Sequence, residues 1–123
     1  GAHGSTLSGN QLACAAATVV VDKLKNGLID RVADTGDYLA GKLAYFKKYK
    51  FVKDVKGLGL LQSVELGDNI NGNYVAAQLL SAGILVNCTK KNVIRLLPPY
   101  TIEKSEIDEF AEKLDDIFSV TNV

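Results

Sequence analysis

The sequence has no methionine, a single histidine, two cysteines, two prolines and no excess of either charge, with 14 Lys and Arg against 14 Asp and Glu. Zero net charge removes the electrostatic case for nucleic acid or an anionic membrane surface as partner, because both require a basic excess. The longest nearly apolar run, Leu12 to Val21, is half the roughly twenty residues that a bilayer-spanning helix needs, so no transmembrane segment is expected. Cys14 and Cys88 stand far apart without a CxxC neighbour. That excludes a disulfide framework or a zinc site and leaves two buried free thiols in a reducing, cytoplasmic compartment as the expectation. His3 has no second ligand type beside it, so neither a metal centre nor a Ser-His-Asp set is expected. The N-terminus shows no basic and apolar leader, and the missing methionine fits a sequence that begins inside a longer gene. Scarce proline with 47% hydrophobic residues excludes a disordered chain, and 123 residues suit one domain with a modest core.

What is present has a clear order. Residues 1–10 are rich in Gly, Ser and Thr and read as a loop, with Asn10 or Ser8 placed to cap a helix. Leu12 to Leu24 follows, apolar on nearly every side, as a helix has to be when it is buried all round or against another body. Asn26-Gly27 is a stop signal. Leu28, Val32, Leu39, Leu43 and Phe46 make one stripe of a second helix running to about Tyr49. The period then shortens: Phe51 to Lys56 and Leu58 to Leu66 read as strands joined at Gly57 and Gly59. Tyr74 to Ser81 reads as a short helix, Ile84 to Asn87 and Asn92 to Leu96 as two more strands, and Pro98-Pro99 halts any ladder. A last amphipathic helix turns Ile107, Phe110, Ala111, Leu114 and Ile117 inward. The expected fold is α/β by class with α+β packing, a mostly antiparallel sheet covered on one face by helices.

Several motifs have ordinary explanations. Gly57-Leu58-Gly59 lacks the third glycine of a dinucleotide loop and is followed by a strand. Lysines 47, 48, 50, 53 and 56 suit a solvated helix end. Two features ask for more. The hydroxyl-rich loop from His3 to Asn10 precedes a helix, where backbone amides and a hydroxyl can receive a phosphate, although a plain capped helix start has the same appearance. Arg95 interrupts the apolar run Val93 to Leu97. A guanidinium there needs an anion: either a carboxylate of the core such as Glu65, or a ligand carboxylate in a pocket, matched by its planar fork.

Together these segments resemble the class III, pyridoxal-phosphate-dependent aminotransferases. Gly4 to Cys14 (GSTLSGNQLAC) is similar to their HGSTFGGNPLAC stretch, and Val52 to Leu66 (VKDVKGLGLLQSVEL) to a VRGxGLMxGxEL segment. Leu85-Val86-Asn87 followed by Asn92 to Pro99 (NVIRLLPP) resembles a closing motif best matched in acetylornithine aminotransferases, and Glu103 to Glu109 fits their final helix. The match is collinear over nearly the whole chain. It departs at Gln11, where Pro is usual, at Leu61-Gln62-Ser63, where Met-x-Gly is usual, and at Lys90-Lys91, where small residues are common. Ornithine, 4-aminobutyrate and succinylornithine therefore stay open beside N-acetylornithine.

The resemblance implies the C-terminal part of a fold-type I enzyme of arginine biosynthesis, a homodimer acting on an amino acid and 2-oxoglutarate. Residues 1–27 would be a cofactor-phosphate loop and buried helix of the large domain and dimer interface, and residues 28–123 the small domain. By resemblance Thr6 contacts the phosphate of pyridoxal 5'-phosphate across the dimer, Ser5 lies beside it and lines the substrate site, and Arg95 clamps the substrate carboxylate. The family's Schiff-base lysine, its pyridine-pairing Asp and its stacking aromatic all precede the segment matched here, so no catalytic residue is expected and this chain alone is expected to be inactive. The rival expectation is a free-standing, noncatalytic α+β interaction or regulatory module. Such a module would bury the apolar first helix in its own core and stay monomeric in light scattering, whereas a fragment would expose that helix and associate.

Overall fold

The computed structural model describes residues 3–121. They fall into two compact units, divided between Arg31 and Val32.

The first unit is a loop and a helix, α1 (Gln11–Lys23). Asn10 caps it, its side-chain oxygen accepting the Ala13 N–H at 3.0 Å. The helix is as apolar as the sequence promises, and nothing among the described residues covers it: none of its residues is buried, and Leu12 is 81% exposed, as expected of a helix that is not packed into the chain's own core. Nearly uniform apolarity gives such a helix no preferred inward face, so only a body covering several sides could bury it. Cys14 is exposed with it, which corrects the expectation of two buried thiols, while Cys88 is partly buried. Asn26 and Gly27 break the helical path as expected, Gly27 taking φ +98°, a conformation open to a residue without a Cβ.

Helix α2 (Ile29–Ala44) leads through a short 3₁₀ turn, Tyr45–Lys48, into the sheet of the second unit. Its stripe buries Leu39, Leu43 and Phe46, with Val32 half-buried. The sheet has four antiparallel strands in the order β1-β2-β4-β3, with β1 at Val52–Leu58, β2 at Leu61–Leu66, β3 at Asn87–Thr89 and β4 at Val93–Leu96. Strand β1 carries a bulge between Val52 and Asp54 and forms one edge; the three-residue β3 forms the other. The third strand differs from expectation. Ile84, Leu85 and Val86 stay outside the ladder, which starts at Asn87, because the chain has just turned through Gly83 at φ +86°.

Helices α3 (Gly72–Ser81) and α4 (Lys104–Ser119) complete the unit. A reciprocal capping box at Glu103 and Glu106 starts α4. Its inward face holds Ile107, Phe110 and Leu114 as expected, and adds Phe118, which the sequence reading passed over. Phe118 meets Phe46, Phe51 and Tyr49 edge-on at centroid distances of 5.6, 5.1 and 5.5 Å. One contiguous core therefore joins the helices to the inward positions Val64, Leu66, Ile94 and Leu96 of the central strands. Period-2 alternation turns Ser63, Glu65 and Arg95 to the opposite face.

Candidate functional site

Two places carry the candidate residues, one in each unit. In the loop, Ser5 and Thr6 share one turn and are both exposed. The Ser5 carbonyl accepts the Ser8 N–H at 3.2 Å and the Ser8 hydroxyl at 2.6 Å, and the Ser5 hydroxyl accepts the Leu7 N–H at 3.3 Å. The turn is closed by Gly9 at φ +74°. Ser5 thus uses an oxygen lone pair to shape its own loop and keeps its hydroxyl proton. The Thr6 hydroxyl has no hydrogen-bond partner among the described residues. Asn10 takes the Ala13 amide, so the loop offers a phosphate mainly hydroxyl donors rather than that first-turn amide of α1. Such donors fit a phosphate ester, while its charge would need a cation from elsewhere.

Arg95 stands on β4, exposed, between the buried Ile94 and Leu96. The choice left open by the sequence is settled against the core carboxylate. Glu65 instead bonds Lys56 at 3.2 Å, and Asp54 reaches the same ammonium at 3.4 Å. Glu65 and Asp54 between them raise the Lys56 pKa, and Asp54 is held below the ordinary carboxylate range by the Val55 N–H and then by Lys56. Arg95 itself has no ion pair among the described residues.

It lines a cleft of about 720 Å³ together with Asn87, Leu85, Leu97 and Pro98. Glu106, the one carboxylate of the cleft wall, already accepts the Glu103 N–H at 2.8 Å in the α4 cap. Exposed Leu85 and Leu97 give the same cleft apolar surface, and an anion that displaces water from such surface is attracted more strongly by a guanidinium. A small carboxylate is the ligand this arrangement suits.

Within the lysine cluster, Lys47 pairs with Asp54, Lys48 with Asp115 and Lys53 with Asp68. Partial burial works against the Lys48 charge, but Asp115 and Tyr45 outweigh it and raise its pKa. A Schiff-base amine needs the reverse shift, toward the neutral form. Every lysine shift resolved here, at Lys42, Lys48 and Lys56, is upward. No group of three or more His, Cys, Asp or Glu suited to a metal occurs among the described residues, and none of their helices is long and apolar enough to cross a membrane. Two residues beside Arg95 escaped the sequence reading, Ser63 and Asn87, because only the strand order makes them its neighbours.

The Aminotransferase class-III family profile matches residues 1–118. The acetylornithine aminotransferase of Methanocaldococcus jannaschii is 40% identical over 121 residues, 97% of this chain and 30% of that protein. The ornithine aminotransferase 1 of Staphylococcus aureus is 37% identical over 119 residues, 96% of this chain and 29% of that protein. Among solved structures, the ornithine aminotransferase of Toxoplasma gondii superposes with a TM-score of 0.84 at 35% identity, covering 97% of this chain and 29% of that one. The chain thus spans about 30% of the length of the curated relatives it matches.

Proposed function

The chain belongs to the class III aminotransferases, and from that membership we propose that its residues bind substrate and cofactor phosphate within an enzyme that moves an amino group from an amino acid to a 2-oxo acid. Enzymes of this family depend on pyridoxal 5'-phosphate, and the sheet and helices described above are a part of its α/β, fold-type I architecture. The bound cofactor supplies the electron sink for the amino-group chemistry. This chain contributes recognition. Thr6, with its hydroxyl uncommitted, would hold the cofactor phosphate across a homodimer interface, and Ser5, with its proton free, would line the substrate site beside it. Arg95 would receive the substrate carboxylate in its two-pronged fork, in a cleft whose own carboxylate is already engaged.

N-acetylornithine, with 2-oxoglutarate as acceptor and a place in cytoplasmic arginine biosynthesis, is the proposed pairing, supported by the acetylornithine aminotransferase at 40% identity; ornithine is the nearest alternative, as the name of the staphylococcal relative indicates. Residues 1–27 are proposed to serve the large domain and dimer interface, and residues 28–123 the small domain. By themselves these residues are proposed to supply binding groups, and turnover by this chain alone is not proposed. An α1 with none of its residues buried also speaks against a self-contained interaction module.

The observation that carries this reading is the exposed, unpaired Arg95 at the cleft. In the holoenzyme containing these residues, Arg95→Ala is expected to raise KM for both carboxylate substrates by about tenfold to a hundredfold, the worth of a charge-assisted, two-pronged contact. A KM equal to the parent's for both substrates removes Arg95 from the site and the reading with it.

A further inference from the structure

The strand order aligns four residues across the sheet, in the row Lys56, Ser63, Arg95 and Asn87. Directly opposed residues in antiparallel strands hold their Cβ atoms about 4.5–5.5 Å apart, so Ser63 and Asn87 are the two nearest cross-strand neighbours of Arg95. Both carry a side-chain oxygen, and neither carries charge. The Ser63 hydroxyl donates to the Lys56 carbonyl at 3.1 Å, which fixes its rotamer and leaves the oxygen lone pairs to accept. Asn87 is exposed, lines the same cleft as Arg95, and its amide has no side-chain partner among the described residues. Beyond Ser63, the charge of Lys56 is taken up by Asp54 and Glu65. The row thus places an oxygen-bearing side chain on each strand beside Arg95, while the nearby carboxylates Asp54 and Glu65 are drawn to the lysine.

We propose that Ser63 and Asn87 are positioning residues for Arg95 in the substrate complex: from the two adjacent strands their side-chain oxygens, which hold no guanidinium N–H in the free chain, accept one each as the fork turns to the substrate carboxylate, without neutralising it. A carboxylate in either place would hold the fork as well but quench the charge the substrate needs. Ser63 also stands where the resembled motif has Gly, so the hydroxyl is an addition that this sequence makes beside its arginine. The inference rests on the reading of Arg95 given above.

The test uses the holoenzyme containing these residues, with Arg95→Ala as reference and an amine lacking an α-carboxylate as comparison substrate. Ser63→Ala and Asn87→Ala are each expected to raise KM for the carboxylate substrates about three- to tenfold with kcat little changed, the loss of one hydrogen bond to a charged group. The comparison amine should show no such rise. Ser63→Thr, which restores the hydroxyl, should return KM toward the parent value. Asn87→Asp should raise KM beyond Asn87→Ala, an order that a purely structural role would not produce. If Arg95→Ala raises KM while Ser63→Ala and Asn87→Ala leave it unmoved, or lower kcat alone, the positioning role is wrong and the Arg95 reading survives. If Arg95→Ala leaves KM unmoved, both fall together.

Discussion

Gly36 and Gly41 lie one turn and a half apart in α2, and the same substitution is expected to act on them with opposite signs. A Cβ built at Gly36 would stand 2.5 Å from the Gly59 carbonyl carbon, 2.5 Å from its Cα and 2.8 Å from its oxygen. These are backbone atoms of the β1–β2 turn, about 1 Å inside ordinary carbon contact, and no rotamer change can relieve them. Forcing a methyl into packed surroundings costs about 1–3 kcal/mol, and immovable backbone puts this case near the upper figure. Alanine recovers about 1 kcal/mol of helix propensity, so Gly36→Ala should destabilise by about 2 kcal/mol. At Gly41 nothing lies within 4 Å of the added carbon. There only the propensity gain remains, and Gly41→Ala should stabilise by about 0.5–1 kcal/mol. Urea unfolding of the two variants beside the parent, followed by circular dichroism, reads the difference directly as a shift of midpoint at constant slope. Equal stabilities for the two would refute the close approach of α2 to the turn, and with it the packing that seats the first hairpin of the sheet.

Two further outcomes follow from the second unit. Lys42 first and Tyr38 second hold the Asp108 carboxyl below its ordinary value, and Lys48 does so for Asp115. A depressed carboxyl pKa contributes stability above the unfolded value near about 4 and loses it as pH falls through the folded value, so Asp115→Asn should flatten the acid side of a stability-versus-pH curve read by urea unfolding. Lys91 is held at φ +66°, so Lys91→Gly should stabilise by about 0.5–1 kcal/mol, the relief of left-handed strain less the added freedom of the unfolded chain; a lower melting temperature would show that the lysine side chain supports the turn.

Where a local signal decides, sequence and structure agree. The Asn10 cap, the break at Asn26-Gly27, the stripe of α2 and the inward face of α4 each depend on residues within a turn or two of one another. Ile84 to Val86 did not pair, since β-branched residues suit a strand only when a partner is in reach, and Gly83 sends the chain past it. The α1 helix shows the other limit. Its composition tells that it wants burial but not against what. At the site, the oddity of Arg95 was legible because a charge in an apolar run has a cost that must be met. Its neighbours were not, since Ser63 and Asn87 lie 32 and 8 positions away and become adjacent only when β4 inserts between β2 and β3.

The two margins of the sheet close it to further growth. On one side the bulge after Val52 and the charges of Lys53, Asp54 and Lys56 spoil the flat, neutral ribbon that an incoming strand would need. On the other, three residues end in a tight turn of two left-handed lysines, too short to template fibril-like stacking. Loss of solubility in this chain would therefore begin at helical surfaces such as α1, and substitutions meant to prevent it belong there rather than on the strands.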